Sequence, residues 1–324
     1  MMQRRMSTYG GIDLGGTKIQ AVVVDDENSV LGSARRATPT TGGPPDVARE
    51  VEAALRDAAA AAEVEPSDLA GVGVGSPGRV GEDGSVTEAL NLPGWEGSFP
   101  LGRTLAAAVG VDVKLGNDVM VATAAEFRLG AGRLYDSLLG VFWGTGVGGG
   151  LILERRAWRG RGGAGEIGHM VVVIDGARCT CGRKGCLEAY AGRSAMEKHV
   201  QRLVEKGRKT KLFDLMRERG RTRLTSGVWA RALEHGDKLA EQMLDRAVEA
   251  LGAGIASAQN LLDVEGVIIG GGLGVRLGHP YAKRIAEAMQ PHLFVDSHPP
   301  HVHVAALGDL GGAIGAALLV RGEA

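Results

Sequence analysis

All three cysteines of this 324-residue chain, Cys179, Cys181 and Cys186, fall within eight positions, and no other stretch constrains the fold as strongly. Thiolates this close together, with Gly182 and Gly185 letting the backbone turn between them, suit a closed structural zinc site, which takes four cysteine or histidine ligands. The spacing C-x-C-x4-C matches no standard zinc finger, so spacing leaves the fourth ligand open; His169, ten residues before Cys179, is the candidate. Chance clustering and a disulfide are the alternatives. Glu166 lies three residues before His169, and Glu188 two residues after Cys186. A metal here would hold both carboxylates in place.

Composition excludes several classes. A net charge of −1 implies no polyanionic partner, and 4% aromatic residues argue against a stacking platform for single-stranded nucleic acid. The basic start MMQRRMST has no apolar core of a signal peptide, and no 18-residue apolar run follows. No nucleic-acid or membrane partner is therefore expected. A cytoplasmic location is, and there thiolates bind metal more readily than they form disulfides. Residues 1–8 read as a frayed tail, with Met1 or Met6 as the start.

Most of the 52 glycines stand beside apolar runs, where they mark tight turns. Residues 10–25 read as two short strands about Gly15-Gly16-Thr17-Lys18, a turn whose backbone N–H groups can approach an anion because glycine has no Cβ. Thr-Lys stands where a Walker loop needs Lys-Ser/Thr, and no helix follows, so a hairpin would hold the phosphate. A plain glycine hairpin is the alternative; Asp13, inside an apolar strand, asks for a partner such as Mg²⁺. Residues 134–153 repeat the theme around Gly144-Thr145-Gly146, which suggests a duplicated architecture with a nucleotide between the halves. A third glycine turn, Gly270-Gly271-Gly272, follows a strand at 264–269. The G-x-G-x-x-G of Gly73, Gly75 and Gly78 leads into loop rather than helix, so it is not a dinucleotide fingerprint. Other expected strands are 30–37, 70–76, 111–115 and 302–306. Helices are expected at 46–64, 100–109, 119–129, 236–262, 280–290 and 308–320. Asn117-Asp118 joins a strand to a helix, where a carboxylate serves either a ligand crevice or an N-cap. The histidines at 279, 292, 298, 301 and 303 read as loop and strand residues rather than ligands.

Taken together, Asp13 to Lys18, Asn91-Leu92-Pro93, Asn117-Asp118, the run 144–150, Glu166-Ile167-Gly168-His169 and the cysteine stretch through Glu188 resemble the ROK (repressor, open reading frame, kinase) family over nearly the whole chain. The resemblance implies a two-lobed α/β, actin-like ATPase fold of the ribonuclease H type, with nucleotide and sugar in the interdomain cleft. The domains would be residues 1–118 plus 309–324 and residues 119–308. It implies Asp118 as the catalytic base and Ser76, Asn91, Asn117, Asp118, Glu166, His169 and Glu188 as sugar-binding residues. It implies a nucleotide set of Asp13, Gly15, Gly16, Thr17, Lys18, Gly144, Thr145, Gly146, Gly270, Gly271 and Gly272, and a zinc set of His169, Cys179, Cys181 and Cys186. Where the family often has Ala-Asn after Asn-Asp, this chain has Val119-Met120.

The expected protein is thus an ATP- and Mg²⁺-dependent hexose kinase with a structural zinc, glucose being the first candidate substrate. Other hexoses or N-acetylhexosamines are alternative acceptors, and polyphosphate an alternative donor. A sugar-sensing repressor of the same family would carry a winged helix ahead of the first hairpin, which here begins at Gly10. A sugar-binding protein without turnover would not need Asp118. Family members are often dimers or tetramers, and a homo-oligomer is expected.

Overall fold

The computed structural model describes residues 7–89 and 91–322. Of the expected tail, residues 1–6 lie outside these; the Ser7 N–H donates to Asp26. The described residues fall into two compact units, one drawn from Met1–Arg133, Arg156–Ala164 and Ala306–Ala324, the other from Leu134–Arg155 and Gly165–Ala305.

The first unit is built on strands β1 (Tyr9–Leu14), β2 (Lys18–Val24), β3 (Val30–Ala37), β4 (Val72–Ser76) and β7 (Val113–Asn117), with a small β5 (Arg79–Val80) and β6 (Val86–Thr87) pair beside them. The sheet order is β3-β2-β1-β4-β7. β1 and β2 form an antiparallel hairpin, while β4 and β7 run parallel to β1. Side chains alternate between the faces. Ile19, Ala21 and Val23 enter one core with α1 (Pro44–Ala61) and α2 (Leu101–Val109), whereas Val22 and Val24 enter another with the C-terminal helix. Both faces are covered, so these strands read as continuous apolar runs rather than as alternation.

α3 (Asp118–Leu129) packs against the C-terminal helix in this first unit, whereas the sequence division after Asp118 puts it in the second. The reason is tertiary. The Glu126 carboxylate, 3% exposed, accepts backbone N–H bonds from Ala131, Ala306 and Leu307 at 2.9–3.0 Å. It ties the end of α3 to a segment some 180 residues away in sequence. Glu126→Ala leaves these donors unpaired, and we expect a loss of about 3 kcal/mol in denaturant unfolding, given ~1–3 kcal/mol for a buried unsatisfied group. A loss below about 1 kcal/mol would refute the tie.

The second unit repeats the plan. β8 (Leu138–Trp143) and β9 (Val147–Leu153) form an antiparallel hairpin, and β11 (Gly266–Gly270) and β12 (His301–Val304) lie parallel to β8. The short β10 (Arg156–Ala157) belongs to the segment counted with the first unit; the second unit's own strands stand in the order β9-β8-β11-β12, the same succession of hairpin and parallel neighbours as β2-β1-β4-β7. The expected duplication is therefore present in the topology. Helices α4 (Glu188–Ala191), α5 (Arg193–Glu205), α6 (Leu212–Glu218), α7 (Ser226–Glu234), α8 (Lys238–Leu262) and α9 (Gly271–Met289) complete the unit.

Two expectations are corrected. Gly270-Gly271-Gly272 is not a turn between separate elements: Gly270 ends β11 and α9 starts at Gly271, running with a break at Gly278 (φ 65°) to Met289. Glycine's poor helix propensity and Pro280 hid its first two turns, which buried Leu273 and Leu277 hold. The expected helix 308–320 divides in two: a 3-10 turn, Gly308–Leu310, precedes the last helix, α10 (Gly311–Arg321). α10 lies so close to the sheet that a Cβ on Gly73 would stand 1.7 Å from the Ala316 carbonyl oxygen, which explains its small-residue face.

Among the described residues no helix is long and apolar enough to cross a membrane.

Candidate functional site

In the first unit the candidate residues gather at the C-terminal ends of the parallel strands, where ligands of open α/β sheets are met. Asp13, near the end of β1, is in register with Gly75 of β4, and Ser76 with Asn117 of β7. A Cβ on Gly75 would lie 3.4 Å from Asp118 Cα, so the start of α3 sits against the end of β4. Asn117 is the N-cap of α3: its Oδ1 accepts from the N–H groups of Val119 and Met120, both at 3.1 Å. That use leaves its amide NH₂, a pure donor, to meet a ligand oxygen. Asp118 follows as the first helical residue, half-buried, with Oδ1 accepting from Val119 N–H at 2.9 Å. The N-cap reading thus holds for Asn117, while Asp118 is the first residue of the helix.

The β1–β2 turn is closed by the Gly15 N–H donating to the Lys18 carbonyl at 2.9 Å, and the Thr38 hydroxyl donates to Gly15 O at 2.6 Å. Asn91 lies against this turn, since a Cβ on Gly16 would stand 3.1 Å from its Nδ2. Burial pushes the Asp13 carboxyl up from its ordinary value; nearby Lys18 pulls it down and Asp309 pushes it up. Lys18 Nζ lies 3.6 Å from Asp309 Oδ1. A cation beside Asp13 would offset the cost of its buried charge, which fits Mg²⁺. Ser76 is placed differently from what sugar binding asks. It is fully buried and its hydroxyl donates to the Pro77 carbonyl at 3.1 Å.

In the second unit, His169, Cys179, Cys181 and Cys186 converge, with ligand atoms all within 4.8 Å of one another. His169 ends a 3-10 turn, Ile167–His169, while tight turns at Gly182 and Gly185 (φ 87° and 79°) bring the cysteines round. Cys181 Sγ is 3.7 Å from Cys186 Sγ, and Cys179 Sγ is 3.9 Å from His169 Nδ1. A tetrahedral zinc with Zn–S of about 2.3 Å and Zn–N of about 2.0 Å needs edges of roughly 3.5–3.8 Å, close to these two separations, so the donor set suits the ion. A disulfide would need about 2.05 Å, and all three thiols are free. Burial, with the Cys181 and Cys179 thiols beside it, pushes the Cys186 thiol up to about 12; a divalent cation would displace such protons.

His169 divides its ring between two neighbours. Nδ1 faces Cys179, and Nε2 lies 3.9 Å from Oε2 of exposed Glu166. With Nδ1 on a metal, Nε2 carries the ring proton and is a donor. Glu188 begins α4 directly after the last cysteine turn. Its Oε2 accepts from Val147 N–H at 3.0 Å, at the foot of the β8–β9 turn, and its Oε1 accepts from the Thr180 hydroxyl at 3.1 Å. Gly146 is pressed against it, since a Cβ there would stand 2.1 Å from Oε2. Gly144 meets the start of α9, where a Cβ would lie 3.7 Å from Gly272 N. So the structure brings Glu166, His169 and Glu188 to the metal loop, and Gly144–Gly146 to Gly270–Gly272.

Sequence reading missed Thr180 and Tyr190. The Tyr190 hydroxyl accepts from Ala177 N–H at 2.8 Å and pins the cysteine loop from α4. Thr180 stands between two ligands, which was a usable signal; Tyr190 carried none.

The ROK family model matches residues 9–323. A glucokinase of Thermotoga maritima is 31% identical over 96% of both chains. An N-acetylmannosamine kinase of Vibrio cholerae is 32% identical over 86% of this chain and 88% of its own. A solved ROK family glucokinase from Streptomyces griseus, in complex with glucose and AMPPNP, superposes with a TM-score of 0.82 at 33% identity, covering 98% of this chain and 99% of that one.

Proposed function

Because this chain belongs to the ROK family and is an ATP-dependent sugar kinase, we propose that it transfers the γ-phosphoryl group of ATP to a hexose, with glucose as the acceptor and Asp118 as the base. The observation that carries the reading is the position of Asp118 at the joint of β7 and α3, beside the end of β4, whose Gly75 is in register with Asp13 of β1. In phosphoryl transfer the protein's task is to position and to stabilise charge. The sugar hydroxyl attacks the γ-phosphorus in line, its proton passes to the Asp118 carboxylate, and ADP leaves with the electron pair of the broken P–O bond. The glycine turns let backbone approach an anion, and Mg²⁺, when bound, would offset the charge of the phosphates. Asp13 is the residue that suits this ion.

For the sugar we assign Asn91, the Asn117 amide, Glu166, His169 and Glu188. Acceptor carboxylates and donor groups together match the hydroxyls of a hexose, each of which both donates and accepts. Ser76 supports the strand end rather than touching sugar. Zinc, when bound to His169, Cys179, Cys181 and Cys186, is structural and fixes the loop from which Glu166 and Glu188 project.

A coupled ADP-release screen with Mg-ATP over hexoses and N-acetylhexosamines tests this. Glucose should give the highest kcat/KM. A higher value for N-acetylmannosamine would move the acceptor, a course the V. cholerae relative supports. ADP release from no sugar at all would overturn the kinase reading.

A further inference from the structure

The β8–β9 turn is gripped by a side chain outside every residue set so far assigned. Arg193 is the first residue of α5. Its own N–H donates to the Gly144 carbonyl at 3.1 Å, and the next, of Ser194, to the Thr145 carbonyl at 3.0 Å. Its guanidinium then folds back on the same turn. Nη2 donates to Thr145 Oγ1 at 2.8 Å and Nη1 to the Leu224 carbonyl at 2.7 Å. Nε is buried and has no partner among the described residues.

No ion pair compensates this cation among the described residues. Glu197, the acid whose charge acts on Arg193, is engaged by Arg223 Nε, 3.1 Å from each of its oxygens, and by the Leu224 N–H at 3.3 Å. Among the described residues no carboxylate forms an ion pair with Arg193. Burial pulls its pKa down, Glu197 acts against that and Arg223 with it, yet a guanidinium stays charged at any working pH. A part-buried charge outside any ion pair, braced against a glycine turn, is favoured when an anion occupies that turn.

Hydrogen-bond chemistry fixes what the contact does. A guanidinium has donors and no acceptor, so the Thr145 oxygen must accept from it. The hydroxyl proton is thereby directed away from Arg193, and the adjacent positive charge makes that O–H a stronger donor. We propose that Arg193 is a positioning residue for the phosphoryl donor: it locks the Thr145 hydroxyl with its proton facing outward, to be given to a phosphate oxygen of a nucleoside polyphosphate. This rests on the reading of the β8–β9 turn as a nucleotide turn.

The test is direct nucleotide binding by calorimetry, with MgADP and a non-hydrolysable MgATP analogue, on the full-length zinc-loaded chain. The variants are Arg193→Gln, Arg193→Lys, Thr145→Val, Thr145→Ser and the double Arg193→Gln/Thr145→Val. Arg193→Gln and Thr145→Val should each weaken nucleotide about tenfold, and the double should be no weaker than the worse single, because one interaction is removed twice. Arg193→Lys should recover part of the loss, since a point charge reaches one of the two acceptors. Thr145→Ser should bind nucleotide as the wild type does. Glucose affinity and zinc content should not move. Losses that multiply in the double variant, or an Arg193→Gln protein within twofold of wild type, would overturn the proposal. If Arg193→Gln fails to fold, the threonine pair decides: Thr145→Val binding like wild type refutes it, and loss in Thr145→Val with retention in Thr145→Ser upholds it. Because binding is read without turnover, a wild-type protein that phosphorylates no hexose would sink the kinase reading and leave this result standing.

Discussion

Asp118→Asn is expected to lower kcat by about 10²- to 10⁴-fold, the usual contribution of a positioned general base. The substitution keeps the shape of the joint. Asparagine's Oδ1 can still accept from the Val119 N–H, and the cap made by Asn117 is untouched. Folding and sugar binding should therefore survive, with sugar KM changing by less than about threefold, because an interaction used only in the transition state moves kcat and kcat/KM together. Single-turnover kinetics would separate the chemical step from product release. A variant that phosphorylates its sugar within about threefold of the wild-type rate would show that the proton goes elsewhere.

Removing the metal should act on the other side of the reaction. Cys181→Ser should cut zinc from about one ion per chain to well below half, and sugar affinity should fall by at least about tenfold, within the 10- to 100-fold typical of a disturbed metal shell. Cys181 is the exposed member of the three, so serine there leaves no hole in the core. The route from metal to sugar is short. In the proposed site His169 serves as both ligand and sugar donor; Glu166 lies 3.9 Å from its other nitrogen, and Glu188 stands two residues past Cys186. Metal analysis and equilibrium sugar binding on the same preparation decide the matter, with the Asp118→Asn protein as a control that should keep its zinc. Full zinc with normal sugar affinity would refute the assignment of the ligand. Zinc lost with sugar affinity unchanged would refute the link between the two sites. Glu188 also holds Val147 at the β8–β9 turn, so the cysteine loop and the turn proposed for the nucleotide share one carboxylate, and metal loss should weaken nucleotide binding too.

What was legible in the sequence was local. The three cysteines needed no fold to be found, because metal ligands carried by one loop must lie close in the chain. The glycine hairpins were legible for the same reason: a turn of three or four residues is encoded by the residues in it. The duplicated plan followed from seeing that pattern twice, and both sheets bear it out with the same strand succession.

The misreadings were of two kinds. Local propensity misled where tertiary burial overrode it, as at Gly270–Gly272, where a glycine run opens a helix that Leu273 and Leu277 hold in the core. Contacts between distant residues left no trace at all. That α3 belongs with α10, through the Glu126 carboxylate and the backbone at 306–307, could not be seen in either segment alone. Nor could the burial of Ser76, the placing of Asn91 against Gly16, or the grip of Arg193 on Thr145, 48 residues away. The sequence by itself determined which chemistry the chain carries, since residue type and short spacing set ligands, turns and caps. Only the tertiary structure decided which groups meet and which are already spent on the fold, because hydrogen bonds and burial depend on separation in space, and a single sequence records separation along the chain alone.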